Sequence, residues 1–175
     1  MATRIALLGI LLIGGTVIDS AWLSRLRLPA LPDLMLLVVM VAGVRGGLVN
    51  GVLLGVSAGY LRDLVTGSPL GVFTMGYLLV GVAAGSMTSV VDLDQPLAPV
   101  VAAVSATALL HLSVSAIVTA TGVASVQWPT LLEGLVVAAT INALLARQVD
   151  RLVNWVDRIS YRRFPEKAIG YRLWR

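Results

Sequence analysis

The sequence contains no cysteine and a single histidine, His111. The first absence removes disulfides, thiol nucleophiles and thiolate-bound metals, and the second removes a multi-histidine metal site. Charge is scarce as well: 13% of residues are Asp, Glu, Lys or Arg, about half the share of roughly 25% in a soluble domain. No carboxylate pair and no Ser–His–Asp set can be assembled from the pattern. The glycine-rich stretch lacks the Lys-Ser/Thr ending of a phosphate-binding loop. The chain therefore reads as a non-enzyme with no cofactor and no metal. What it has in excess is apolar character. With 58% hydrophobic residues and a mean hydropathy of +0.91, the 175 residues fit one polytopic all-α membrane unit and leave no room for a separate soluble domain.

Six hydrophobic stretches are expected to be transmembrane helices: about Ile5 to Leu23, Pro32 to Val44, Gly46 to Leu61, Pro69 to Val91, Pro96 to about Val123, and Pro129 to Leu145. The first lacks the long basic start and small-x-small site of a cleaved signal peptide and reads as a retained span. Pro32, Pro69, Pro96 and Pro129 each open a span, where the missing N–H of proline would go unbonded anyway. The third stretch reaches only ~24 Å, short of a ~30 Å hydrocarbon core. Arg45 and Arg62 at its ends can snorkel to make up the difference.

The net charge of +4 lies in the tail. Residues 1–146 form the expected six-helix domain, and 147–175 a basic amphipathic cytoplasmic tail. In the tail Val149, Leu152, Val153, Val156 and Ile159 make an apolar stripe, with Arg147, Asp150, Arg151, Asn154, Asp157 and Arg158 on the other face. Such a helix suits an anionic membrane surface better than nucleic acid, and the same pattern could dock a partner protein. Arg4, Arg45, Arg147 and the basic tail would share one side, against Arg25, Arg27 and Arg62 on the other. The positive-inside bias then puts both termini in the cytoplasm. Trp22 and Trp128 would mark the outer interface, and Trp155 and Trp174 the inner one.

Gly43, Gly47, Gly51, Gly55 and Gly59 are each four residues apart. In water each would weaken a helix by about 1 kcal/mol relative to alanine. In lipid, small residues let helix backbones approach, and this spacing makes a groove along one ridge. Over five rungs the groove winds by roughly 160°, so it is expected to meet two neighbours or one steeply crossing helix. Gly81 and Gly85 repeat the spacing in the fourth span.

Ionisable groups within a bilayer are default functional candidates. Asp19, near the end of the first span, fits an ion pair or a site. Asp33 after Pro32 fits a helix cap. Arg62 and Asp63 are adjacent, so they diverge on a helix and need different partners; Asp63 is placed to cap or brace the turn that follows. His111 lies mid-span and fits a neutral packing residue or a proton relay. Asn50 and Glu133 lie near span ends, and Asn142 lies deeper.

The stretch LPDLMLLVVMVAGVRGGLVNGVLLGVSAGYLRDLVTGSPLGVFTMGYLLVG, residues 31–81, resembles the MreD family of rod shape-determining membrane proteins. The carrying features are Pro32-Asp33 opening a short span, a basic-Gly turn, a Gly-rich span, and the junction Asp63-Leu64-x-x-Gly67-x-Pro69-Leu70-Gly71. The resemblance implies a non-enzymatic component of the bacterial elongation machinery in the cytoplasmic membrane. It implies binding to the bitopic shape protein MreC. It also implies action alongside the filament protein MreB, the glycosyltransferase RodA and its transpeptidase, in support of lateral peptidoglycan synthesis. At fold level it implies likeness to the six-helix substrate-binding subunits of energy-coupling-factor transporters. Residues 92–146 carry no matching motif. The alternative reading, a transporter subunit that binds a small molecule, would need a polar cavity near mid-membrane, for which His111 and Asn142 are the deep candidates.

Overall fold

The computed structural model describes residues 9–16, 32–95, 97–122 and 127–162, with side chains as far as 159. Among them are five helices and no strand: α1 (9–16), α2 (Leu34–Thr66), α3 (Val72–Ser86), α4 (Ala98–Ala120) and α5 (Trp128–Arg162). By length and composition α2, α4 and α5 can cross a membrane, and α3 is a shorter apolar helix. Asp19, Trp22, Arg25 and Arg27, together with Pro96 and the tail beyond 162, lie outside the described residues.

The second and third expected spans fall on one helix, α2, but not on one straight rod. Gly47 has φ 81° and ψ 179° inside it, a conformation that a side chain resists and glycine accepts. On a straight helix Gly43 and Gly51 would be ~12 Å apart. Here a Cβ built on Gly43 would lie 3.4 Å from the Gly51 Cα. The two arms of α2 therefore fold back on each other at the Arg45-Gly46-Gly47 turn.

The first arm is the core of the molecule. Every residue from Met35 to Val44 is buried. This stretch has no polar side chain on any face, and a helix that is apolar all round belongs inside. Other elements wrap it. Thr16 of α1 donates to the Leu12 carbonyl (2.8 Å) and to the Met35 sulfur (3.2 Å). Helix α4 turns inward a stripe of Pro99, Ala103, Ala106, Thr107 and Leu110, spaced for one helical face.

Helix α5 differs from expectation in one respect. The sixth span and the amphipathic segment after it are one unbroken helix through Arg162. Its inward stripe starts well before residue 147: Ala138, Asn142, Ala146, Val149, Val153 and Val156 are all buried. The apolar face of the tail's first turns thus packs on this chain, while Leu152 is 51% exposed.

The fifth span also starts differently. Helix α4 begins at Ala98 with Pro99 in its first turn, so Pro99 takes the opening position assigned to Pro96. Proline fits there because the first helical N–H groups have no intrahelical partner.

Candidate functional site

The glycine ladder becomes an interface with α3, but not as one five-rung ridge. Gly47 breaks it, leaving Gly51, Gly55 and Gly59 on the second arm. Over three rungs the ridge drifts only ~80°, so a single helix can follow it. That helix is α3, running antiparallel: a Cβ on Gly51 would lie 3.0 Å from the Gly81 carbonyl carbon. One on Gly55 would lie 2.6 Å from the Tyr77 carbonyl oxygen, and one on Gly59 would lie 2.8 Å from that of Phe73. These are backbone atoms, which cannot swing aside. Gly43, on the first arm, faces the Cβ of Ala84 at 3.0 Å. A Cβ on Gly85 would lie 2.6 Å from the Leu48 Cα, beside the Gly47 turn.

The far end of this pair is held by Asp63, which is 1% exposed. One carboxylate oxygen accepts from the Gly71 N–H (2.8 Å), the Thr74 N–H (3.1 Å) and the Thr74 hydroxyl (2.6 Å). The other accepts from the Phe73 N–H (2.8 Å). An acidic side chain at the last turn of one helix thereby satisfies the free donors that open the next. Gly67 and Gly71, with φ 65° and 107°, let the chain reverse in between. Between them, Pro69 accepts from the Val72 N–H at 3.3 Å. Arg62 points elsewhere, its guanidinium carbon 6.0 Å from the Phe73 ring centroid.

A second cluster joins four helices. Pro32 precedes Asp33, whose Oδ1 caps α2 by accepting from the Leu36 N–H (2.9 Å). Its Oδ2 accepts from the Tyr77 hydroxyl of α3 (2.5 Å). The Asp33 N–H donates to Asn142 Oδ1 of α5 (2.9 Å). Asn142 Nδ2 donates to the Thr107 hydroxyl of α4 (3.0 Å), which donates to the Ala103 carbonyl (2.7 Å). Tyr77, Thr107 and Asn142 have no exposed surface. A polar group in such surroundings is costly unless bonded, and here each finds a partner in another member or in nearby backbone. His111 stands one turn along α4, its Nδ1 3.0 Å from the Thr107 carbonyl oxygen.

At the opposite end of the first arm Arg45 makes two bonds to Asp150 Oδ1, at 2.8 and 3.1 Å. It also meets Asp94 at 3.3 Å. This ties the Gly47 turn to α5 and to the α3–α4 connection. Among the described residues no group of three or more His, Asp or Glu side chains is placed to hold a metal ion.

Of the residues singled out in the sequence, Asp33 and Asn142 meet each other, and Asp63, Gly67, Pro69 and Gly71 share one turn. His111 adjoins the cluster without bonding Asn142. Tyr77, Thr107 and Thr74 were not anticipated. A hydroxyl in an apolar helix usually bonds its own preceding turn, as Ser105 and Thr140 do here. Only the partner helix separates the two cases. The sequence pattern puts Asp150 on the polar face of an amphipathic helix with no partner named, because a pairing across 105 residues leaves no local trace.

No curated protein and no solved structure gives a significant match to the chain. The expected likeness to energy-coupling-factor subunits gains no support from these comparisons. A family model does match, that of the rod shape-determining protein MreD, over residues 4–149. That span holds the folded-back α2, the α2–α3 glycine interface, the Asp63 junction and the four-helix polar cluster, and the chain belongs to the MreD family.

Proposed function

We propose that this protein is a non-enzymatic scaffold of the bacterial cell-elongation machinery. In this reading it binds an MreC-like bitopic shape protein and works beside an MreB-like filament, a RodA-type glycosyltransferase and its transpeptidase. It supports lateral peptidoglycan synthesis and rod shape. The observation that carries the reading is the family match over residues 4–149, which places the chain among rod shape-determining membrane proteins. The polar cluster supports it too. Asp33 and Asn142 spend their hydrogen bonds on each other and on neighbouring helices, as in a rigid body that presents surfaces.

We place the chain in the cytoplasmic membrane with six spans, counting the two arms of α2 separately, and with both termini in the cytoplasm. The fold-back at Gly47 and the bias of Lys and Arg toward Arg45 and the tail support this arrangement. A reporter fused after Arg175 that is active only outside the cytoplasm should stay silent.

The deciding experiment is purification of the tagged full chain from native membranes in mild detergent, with stoichiometric partners identified by mass spectrometry. Recovery of a bitopic shape protein at near-equal ratio is expected. Recovery of ATPase subunits instead would favour the transporter reading and overturn this one.

A further inference from the structure

A cleft of about 600 Å³ lies between the first arm of α2, α3, the first half of α4 and the connection from Met87 to Leu97. It is half-enclosed and is no part of the polar cluster or the Asp63 junction. Met40, Val80, Ala102 and Leu109 are among its walls, and Asp92 and Gln95 stand at its rim. The one hydroxyl in the α4 wall, Ser105, donates back to the Val101 and Ala102 carbonyls, both at 3.0 Å. Away from Asp92 and Gln95 the lining side chains are apolar or, at Ser105, already bonded.

Two features select the occupant. The α4 wall from Ala98 to Leu109 rises roughly 17 Å, close to half of a ~30 Å hydrocarbon core. The cleft thus has the depth of one leaflet, measured from the membrane side where Arg45 lies. An extended hydrocarbon chain of one leaflet matches that depth. The mouth is acidic: Asp92, which lines it, is exposed, and Arg45, the nearby cation, is engaged by Asp94 and Asp150. An anionic headgroup would be repelled there, whereas an ammonium would be attracted.

We propose that this cleft holds one acyl chain of an ethanolamine-type phospholipid, with its ammonium at Asp92. The inference is independent of any shape-protein partner, because it needs only the membrane and this chain.

The test is native mass spectrometry of the full-length protein, delipidated in detergent and titrated with palmitoyl-oleoyl phosphatidylethanolamine or phosphatidylglycerol. One ethanolamine lipid should be retained. Ala102→Trp, which fills the cleft, should lower retention at least about fivefold. Val136→Trp, on the exposed face of α5, should leave it unchanged. Asp92→Lys should shift preference toward phosphatidylglycerol. Should Ala102→Trp fail to fold, Ala83→Leu on the α3 wall makes the same comparison with a smaller side chain. Independently of any variant, an ethanolamine lipid with a diazirine on its acyl chain should label peptides carrying Met40 or residues 87–109. Equal retention by the filled and control variants, indifference to headgroup, labelling confined to α5, or a second copy of the chain as the sole adduct would each overturn the proposal.

Discussion

Helices α2 and α3 meet backbone against backbone, whereas α4 and α5 meet the rest through one stripe of side chains each. The most apolar stretch of α2 is 56% buried within the protein, against 22% for α4 and 17% for α5. Val101, Val104 and Leu112 on α4 and Leu132, Val136 and Leu144 on α5 face outward. In lipid such residues gain little by turning inward, because the surroundings are as apolar as they are. Cohesion there depends on fit and on hydrogen bonds. The α2–α3 pair has both, in its glycine contacts and the Asp63 turn. The α4–α5 side relies more on the bonds through Thr107 and Asn142. The first region is built to be rigid, and the second leaves a half-enclosed cleft and broad lipid-facing surfaces.

The sharpest way to break this contrast is to add one methyl group in each region. Gly55→Ala is expected to destabilise by about 3 kcal/mol, as overpacking against immovable backbone does. Gly134→Ala on α5, where a Cβ meets nothing within 4 Å, should range from neutral to a gain of about 1 kcal/mol. Thermal unfolding of the two variants in the same detergent checks this, and equal shifts would sink the comparison.

Asp63→Ala should cost about 2–3 kcal/mol by stripping the acceptor from three part-buried N–H groups. It should also open the 67–71 turn to protease, while Asp63→Asn falls between it and the parent. Gly47→Ala separates space from conformation. Nothing lies within 4 Å of its Cβ position, yet its φ of 81° with ψ of 179° should make the change cost about 1–3 kcal/mol; a neutral result would mean the arms need no glycine at their turn.

Tyr77→Phe should cost about 1–2 kcal/mol, by removing the hydroxyl from Asp33, and the loss should shrink in an Asn142→Leu background if the four-helix cluster acts as a unit. The smallest effect is expected at Asp94, whose side chain is 79% exposed. Asp94→Ala should move stability by less than about 0.5 kcal/mol, and a larger loss would show that the Arg45 contact matters as much at its surface end as at Asp150.

Much of the α2–α3 region was legible along the chain. Pro32-Asp33 reads as a helix start, Arg45-Gly46-Gly47 as a break, and Asp63 through Gly71 as a turn, because caps, glycines and prolines act on neighbours a few residues away. The ladder's length was misjudged for the same reason. Spacing of four is blind to a residue that leaves the helix, and Gly47 does so while keeping the register. On the α4–α5 side little was legible. Thr107 looks like any hydroxyl in an apolar helix, and Asn142 finds its partner 109 residues away.

The sequence by itself determined the solvent, the helical class, the absence of thiol and multi-histidine chemistry, and the places where the chain turns. These follow from composition and from local backbone preferences. Only the tertiary structure decided that α2 folds back on itself, that four of the five glycines, from both its arms, face one helix, and that Asp33, Tyr77, Thr107 and Asn142 join in one cluster. It alone placed the cleft. Those outcomes depend on which helix faces which, and in an apolar solvent that choice is made by close fit and paired hydrogen bonds between residues far apart in the chain.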